Sequence, residues 1–266
     1  YCFDCSQRTC KQCTTMHRKM KATAGHEMVE LGADLTEELI EKKRQELRAA
    51  LEKEKELREL KSRFVTMASH EFRTPLSTIL SSASLISKYN EPGQDEKRFK
   101  HIERIKSAVN NLTSILNDFL SIGKLEEGKV VCTPTTFDIT TFSGDLVGEL
   151  KEVTKKGQSI IYEHTGANTT VFLDKNLTRN ICINLLSNAI KYSGESQKIL
   201  LHTTIGKNRL LIHVTDHGIG IPKEEQQYVF ERFFRANNAA NIQGTGLGLN
   251  IVKKYSELMN GTIEFE

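Results

Sequence analysis

Two long amphipathic runs joined by one short turn constrain what this chain can fold into more than any other feature. From Leu35 onward the apolar residues Leu39, Leu47, Leu51, Leu57, Leu60, Phe64 and Met67 fall mostly three or four apart, within dense Lys, Arg and Glu. That spacing predicts one helix over residues 34–88 with a coiled-coil-like stripe, its heptad slipping between Leu51 and Leu57. Asn90-Glu-Pro-Gly93 is a turn signal. A second run over residues 95–126 keeps Ile102, Ile105, Val109, Leu112, Ile115, Leu116, Phe119, Leu120 and Ile122 at helical period. Two helices and a short turn make an antiparallel hairpin. A single hairpin leaves its apolar stripe without a partner. Two copies pairing into a four-helix bundle would bury it, so a homodimer is expected.

Beyond residue 130 the pattern changes to short β-branched runs alternating with helical ones. Strands are expected at Ser159–Tyr162, Thr170–Leu173, Lys198–Thr204 and Arg209–Thr215. Asp174 suits the cap of a helix that buries Leu177, Ile181, Leu185, Leu186, Ala189 and Ile190. A last helix is expected from Gly246 to Met259, stopped by Asn260-Gly261. The fold class is therefore multidomain, α and α+β. Its expected parts are a small zinc-finger-like segment (1–33), a coiled-coil signalling helix (34–66), a helical-hairpin dimerisation domain (67–128) and an α/β sandwich (129–266).

At 266 residues the chain has room for two compact units. Its net charge of +3 is too small to argue for nucleic acid or a membrane surface. No stretch approaches the roughly 18 consecutive apolar residues of a membrane span. Tyr1 stands where a start methionine would be and reads as a cut end, so any membrane segment belongs upstream. Four of the six cysteines lie within Cys2–Cys13, which suggests metal rather than disulfides and hence a reducing, cytoplasmic setting. That setting includes the cytoplasmic part of a membrane receptor. Cys132 and Cys182 stand alone and are read as having no functional role.

Three constellations carry chemistry. In Ser69-His70-Glu71-Phe72-Arg73-Thr74-Pro75-Leu76, Pro75 removes a backbone donor and is expected to kink the helix one turn past His70. Glu71 beside His70 could accept one imidazole proton and leave the other ring nitrogen to attack. The second constellation is a pair of glycine clusters. Asp216-His-Gly218-Ile-Gly220 follows a strand, and Gly244-Thr245-Gly246-Leu247-Gly248-Leu249 opens a helix. Glycines before a helix N-terminus let backbone N–H groups approach a phosphate. Asp216 could accept from an exocyclic amine such as that of adenine. Phe230-Glu-Arg-Phe-Phe-Arg235, between the clusters, reads as a lid. The third is a helical segment with Asn184 and Asn188 four apart, Lys191 near the same face and Tyr192 beside it. Amide oxygens suit a Mg²⁺ whose charge is shared with nucleotide phosphates.

Over residues 35–266 these motifs, in this order, resemble the histidine kinase family. His70 falls in its H box, Asn184 to Tyr192 in its N box and Asp216 to Gly220 in its first glycine box. Phe230 to Arg235 fall in its F box and Gly244 to Leu249 in its second glycine box. The resemblance implies a dimerisation and phosphotransfer hairpin followed by an ATP-binding domain of the Bergerat fold. It implies autophosphorylation: His70 attacks the γ-phosphate with Glu71 as base, and Asn188 is the leading Mg²⁺ ligand. Asn184 and Lys191 then support metal and phosphates, with Gly244, Thr245, Gly246, Leu247 and Gly248 around them. Asp216, Gly218 and Gly220 recognise adenine, Tyr192 stacks near the base and Arg235 steadies the γ-phosphate. The group then passes to an Asp of a response regulator, and Thr74 orients a water for the reverse, phosphatase reaction. Relatives continue past Thr262-Ile-Glu-Phe-Glu266 through another turn and strand, so a sheet edge is expected to be open here.

Cys2, Cys5, Cys10, Cys13, His17 and His26 have metal-ligand spacing and resemble the later part of a type-2 B-box zinc module. That resemblance implies Zn²⁺ on Cys2, Cys5, His17 and His26, with Cys10 and Cys13 forming half of a second site. Two rival readings are a B-box and coiled-coil scaffold whose kinase part only dimerises, and an unrelated ATPase of the Bergerat fold. Such ATPases lack a phospho-acceptor His on a dimerisation helix, so His70 separates them from this chain.

Overall fold

A computed structural model describes residues 33–266 except Asn90, Pro92, Lys207 and Asn208. The proposed zinc ligands Cys2, Cys5, Cys10, Cys13, His17 and His26 lie outside the described residues. The described residues divide into two units between Arg63 and Phe64.

The first unit shows the start of helix α1 (Ala33–Ile86). Its Lys, Arg and Glu pair along the helix surface, Lys43 with Glu46, Arg44 with Glu41 and Arg58 with Glu54. Exposed pairs at this spacing contribute little to stability, because water screens both charges. Leu39, Ile40, Leu47 and Leu51 are solvent-exposed.

In the second unit α1 runs on to Ile86, uninterrupted at Pro75. Proline has no N–H, so the Glu71 carbonyl loses its helical partner one turn back. Helix α2 (Asp95–Glu126) follows and buries His101, Ala108, Ile115 and Ile122, seven residues apart each time. That is the heptad of a helix packed against neighbours. Phe72 of α1 meets Phe119 of α2 edge to face, with ring centres 5.8 Å apart. Leu76, Leu80, Val109, Leu116 and Leu120 stay exposed on the hairpin.

The α/β part places α4 (Lys175–Tyr192) between two cores. On one side Cys182, Leu186, Ala189 and Ile190 pack with Ile139, Phe142, Leu146 and Val147 of α3 (Ile139–Leu150). Ile199 and Leu201 of β4 (Lys198–Ile205) complete that core. On the other side Leu177 and Ile181 pack with Leu247, Ile251, Val252 and Tyr255 at and within α5 (Gly248–Leu258). Ile122 of the hairpin belongs to this second core.

Three strands form one sheet: β2 (Ser159–Thr165) runs parallel to β4, which pairs antiparallel with β5 (Leu210–Thr215). The parallel pair needs a crossover, and β3 (Thr170–Leu173) and α4 supply it. A separate antiparallel ribbon joins β1 (Thr135–Asp138) to β3, Thr135 opposite Leu173. The β strand content is thus split over two sheets, and β1 and α3 were not among the expected elements. Helix α5 begins two residues later than its expected start at Gly246, because Gly246 sits at φ +66°, outside helical space. Residues 261–266 carry no strand.

Candidate nucleotide and phospho-acceptor site

Asp174 caps α4, its Oδ1 accepting the Asn176 and Leu177 N–H groups at 2.9 Å. At the other end Lys155 Nζ donates to the carbonyls of Lys191 (2.7 Å) and Ser193 (2.6 Å), satisfying acceptors the helix leaves open. The helix is thereby fixed at both ends, and Asn184, Asn188 and Lys191 share one face. Asn184 Nδ2 donates to the Asn180 carbonyl at 2.9 Å. Its Oδ1 faces Gly248, where an added Cβ would lie 2.9 Å away. Asn188 Nδ2 lies 3.8 Å from the same point, and Lys191 Nζ is in contact distance of a Cβ at Gly244. The glycine-rich loop and the N-terminus of α5 therefore lie directly against the amide and ammonium groups of α4.

The Asp216 turn joins them from the sheet side. Asp216 Oδ1 accepts the Gly218 N–H at 2.8 Å and lies 3.5 Å from Ser193 Oγ. The Ile219 N–H donates to the Tyr192 carbonyl at 3.3 Å. A Cβ at Gly218 would come within 2.6 Å of that same carbonyl oxygen, so the turn needs a glycine to approach α4 this closely. Lys191 Nζ lies 4.8 Å over the Tyr192 ring.

Between the two glycine clusters the chain is made of short 3-10 turns (Lys223–Tyr228 and Asn237–Ala239) rather than helix. Asn238 Nδ2 bonds the Gly220 carbonyl (2.9 Å), Asn250 Nδ2 the Phe230 carbonyl (2.8 Å), and the Phe233 N–H the Gly246 carbonyl (3.0 Å). Arg235 Nη2 donates to the carbonyls of Ala240 (3.0 Å) and Ile242 (2.7 Å).

His70 and Glu71 are neighbours in sequence with opposite surroundings. The His70 side chain is 75% exposed and that of Glu71 only 5%. His70 Nδ1 lies 3.6 Å from Glu71 Oε1, and Arg235 Nη1 approaches the same oxygen at 3.6 Å. Glu71 Oε2 is buried with no hydrogen-bond partner among the described residues. Thr74 is exposed one turn beyond His70, and its carbonyl accepts Thr78 Oγ1 at 3.0 Å.

Asp118 is a residue the sequence reading missed. Thr245 Oγ1 donates to Asp118 Oδ2 at 2.8 Å, joining the hairpin to the glycine-rich loop. Burial pushes the Asp118 carboxyl above its usual range, against the Thr245 hydrogen bond and the Lys191 charge. Its spacing from Ile115 and Ile122 puts it on the buried heptad face, and an acid on that face was the available signal. Arg232 and Glu126 form a further ion pair between lid and hairpin.

Residues 60–128 match the family described as the His Kinase A (phospho-acceptor) domain. Residues 173–266 match the histidine kinase-, DNA gyrase B- and HSP90-like ATPase family. The sensor protein GacS of Pseudomonas syringae pv. syringae is 33% identical over 236 residues, 85% of this chain and 26% of its own length. The chain spans about a quarter of the length of this and similar curated relatives. Full-length ShkA, solved in complex with AMPPNP, is alike with TM-score 0.52 and 27% identity over 72% of this chain and 40% of its own. The histidine kinase ThkA, solved with the response regulator protein TrrA, shares the fold at TM-score 0.55 and 23% identity, over 89% of this chain and 62% of its own. With a phospho-acceptor domain and an ATPase domain in this order, the chain carries the two-domain core of the histidine kinase family.

Proposed function

We propose that this chain binds Mg·ATP between α4, the Asp216 turn and the glycine-rich loop, and phosphorylates His70. The observation that carries the reading is the convergence of Asn184, Asn188 and Lys191 on Gly244 and Gly248. This donor set suits a magnesium nucleotide: hard neutral oxygens for the metal, one cation for phosphate, and backbone close enough to donate N–H groups. Asn188 is the leading metal ligand and Asn184 and Lys191 support it. Thr245, Gly246 and Leu247 lead into the N–H groups of α5. Asp216, held by Gly218 and followed by Gly220, takes the adenine amine, with Tyr192 beside the ring. ShkA, similar in sequence and fold, was solved with AMPPNP.

Phosphoryl transfer is mainly positioning and charge neutralisation. His70 Nδ1 faces Glu71, so Nε2 is the attacking atom. A bond forms from Nε2 to the γ-phosphorus as the bond to the ADP oxygen breaks, and the Nδ1 proton passes to Glu71. Arg235 shares the Glu71 oxygen in the present arrangement, so it must leave Glu71 before it can steady the γ-phosphate. The phosphoryl group then goes to an Asp of a response regulator, and Thr74, exposed on the His70 side, orients water for the reverse phosphatase reaction. ThkA, alike in fold, was solved with such a regulator. The exposed Leu76, Leu80, Val109, Leu116 and Leu120 suit a homodimeric four-helix bundle, continued by a coiled coil over residues 34–66.

The test is calorimetric binding of Mg·AMPPNP to the purified chain and to Asn188→Ala. Low-micromolar to millimolar binding by the wild type that falls at least tenfold in the variant supports the reading. Equal binding by both removes Asn188 from the site. The Cys2–His26 segment is proposed to hold Zn²⁺ on its ligand spacing, one ion on Cys2, Cys5, His17 and His26 and a half-site at Cys10 and Cys13. Zinc analysis of the purified chain should give about one ion per chain, lost on Cys2→Ser. A metal-free preparation would end that assignment.

A further inference from the structure

An acid on the hairpin makes a polar bond into the glycine-rich loop. Thr245 is buried, its Oγ1 donates to Asp118 Oδ2 at 2.8 Å, and the same Oγ1 accepts the Leu247 N–H at 3.2 Å. Asp118 is thereby linked through one hydroxyl to the backbone that opens α5. Lys191, whose Nζ lies against Gly244, acts electrostatically on the same carboxylate. Ile122, one turn further along α2, is buried among Leu177, Ile181, Leu247 and Ile251, which fixes this end of the hairpin on the loop. The carboxylate thus accepts from the hydroxyl that leads into α5 and feels the charge of Lys191, two groups of the phosphate site proposed above.

We propose that Asp118 is an internal anionic ligand of the phosphate site, an alternative occupant to the nucleotide. The inference rests on the Mg·ATP reading. A polyphosphate and a carboxylate that both draw on Lys191 and the Thr245 loop repel each other, which for close like charges under water-like screening amounts to about fivefold in affinity. Nucleotide therefore binds against the Asp118–Thr245 contact, and its arrival loosens the C-terminal end of α2 from the loop. Asp118 touches neither metal nor substrate; it is a positioning residue acting through Thr245.

The experiment compares Mg·AMPPNP affinity of the wild-type chain, Asp118→Asn and Asp118→Ala by calorimetry, and follows backbone hydrogen exchange across residues 115–126 of the wild type with and without AMPPNP. Both variants are expected to bind about fivefold more tightly, and exchange in the wild type to quicken when nucleotide is added. A purely structural carboxylate predicts the opposite sign, with weaker binding in Asp118→Ala and partial rescue by Asp118→Asn. Unchanged or weaker binding by Asp118→Asn overturns the proposal. If neither variant folds, exchange that stays constant or slows in the wild type overturns it alone. A folded wild type that binds no AMPPNP fails differently, removing the nucleotide reading and this inference with it.

Discussion

Gly246 turns at φ +66°, and a Cβ there would lie 2.6 Å from the Phe234 carbonyl oxygen. Opposite it Phe233 also has positive φ, +64°, and its N–H donates to the Gly246 carbonyl at 3.0 Å. Lid and loop are therefore clasped backbone to backbone, and only a residue without a side chain fits on the loop side. Gly246→Ala should cost about 1–3 kcal/mol, seen as a lowered thermal midpoint, and should weaken AMPPNP binding in the same protein. An unchanged midpoint would show that the clasp relaxes freely. The contrast between His70 and Glu71 belongs to this scale too. The acid was readable beside the histidine, but its burial under Arg235, 164 positions away, depends on tertiary contacts that local sequence does not record.

At the scale of elements, α4 depends on its cap. Asp174 is buried, which alone would raise its pKa. N–H donors from Leu177, Thr133 and Asn176 outweigh burial and hold its carboxyl below the usual carboxylate range. A depressed carboxylate pKa contributes stability that is present above its unfolded value and lost as pH falls through the folded value. Acid unfolding of the α/β part should therefore deepen below about pH 4. Asp174→Ala should remove about 0.5–2 kcal/mol at neutral pH and flatten that acid limb. Equal acid profiles would contradict it. This cap was legible because Asp174 directly precedes a strongly periodic run. By contrast β1 was not, being four residues long and paired with β3 some 35 positions later. Helix α3 was also missed. Its sequence holds Gly144, Gly148 and four β-branched residues, and it is helical because Ile139, Phe142, Leu146 and Val147 are buried against the sheet and α4.

For the whole molecule, the hairpin, the ATP-site motifs and their order were legible because each rests on local spacing. The docking of Asp118 and Ile122 onto the glycine-rich loop was not, since it joins segments more than a hundred residues apart. The exposed Leu80, 71% accessible on a helix whose other face is packed, marks where a second copy is proposed to sit. Leu80→Asp should shift the chain from dimer to monomer in light scattering, leaving AMPPNP affinity of the α/β part unchanged. A dimer that persists would place the partner elsewhere. The central claim is that nucleotide held in the α4 site phosphorylates His70, and it is tested most directly by incubating the chain with Mg²⁺ and γ-labelled ATP beside His70→Gln. Acid-labile, base-stable label on the wild type, absent from a His70→Gln protein that still binds AMPPNP, is the predicted result. Label of that kind on His70→Gln would contradict the account.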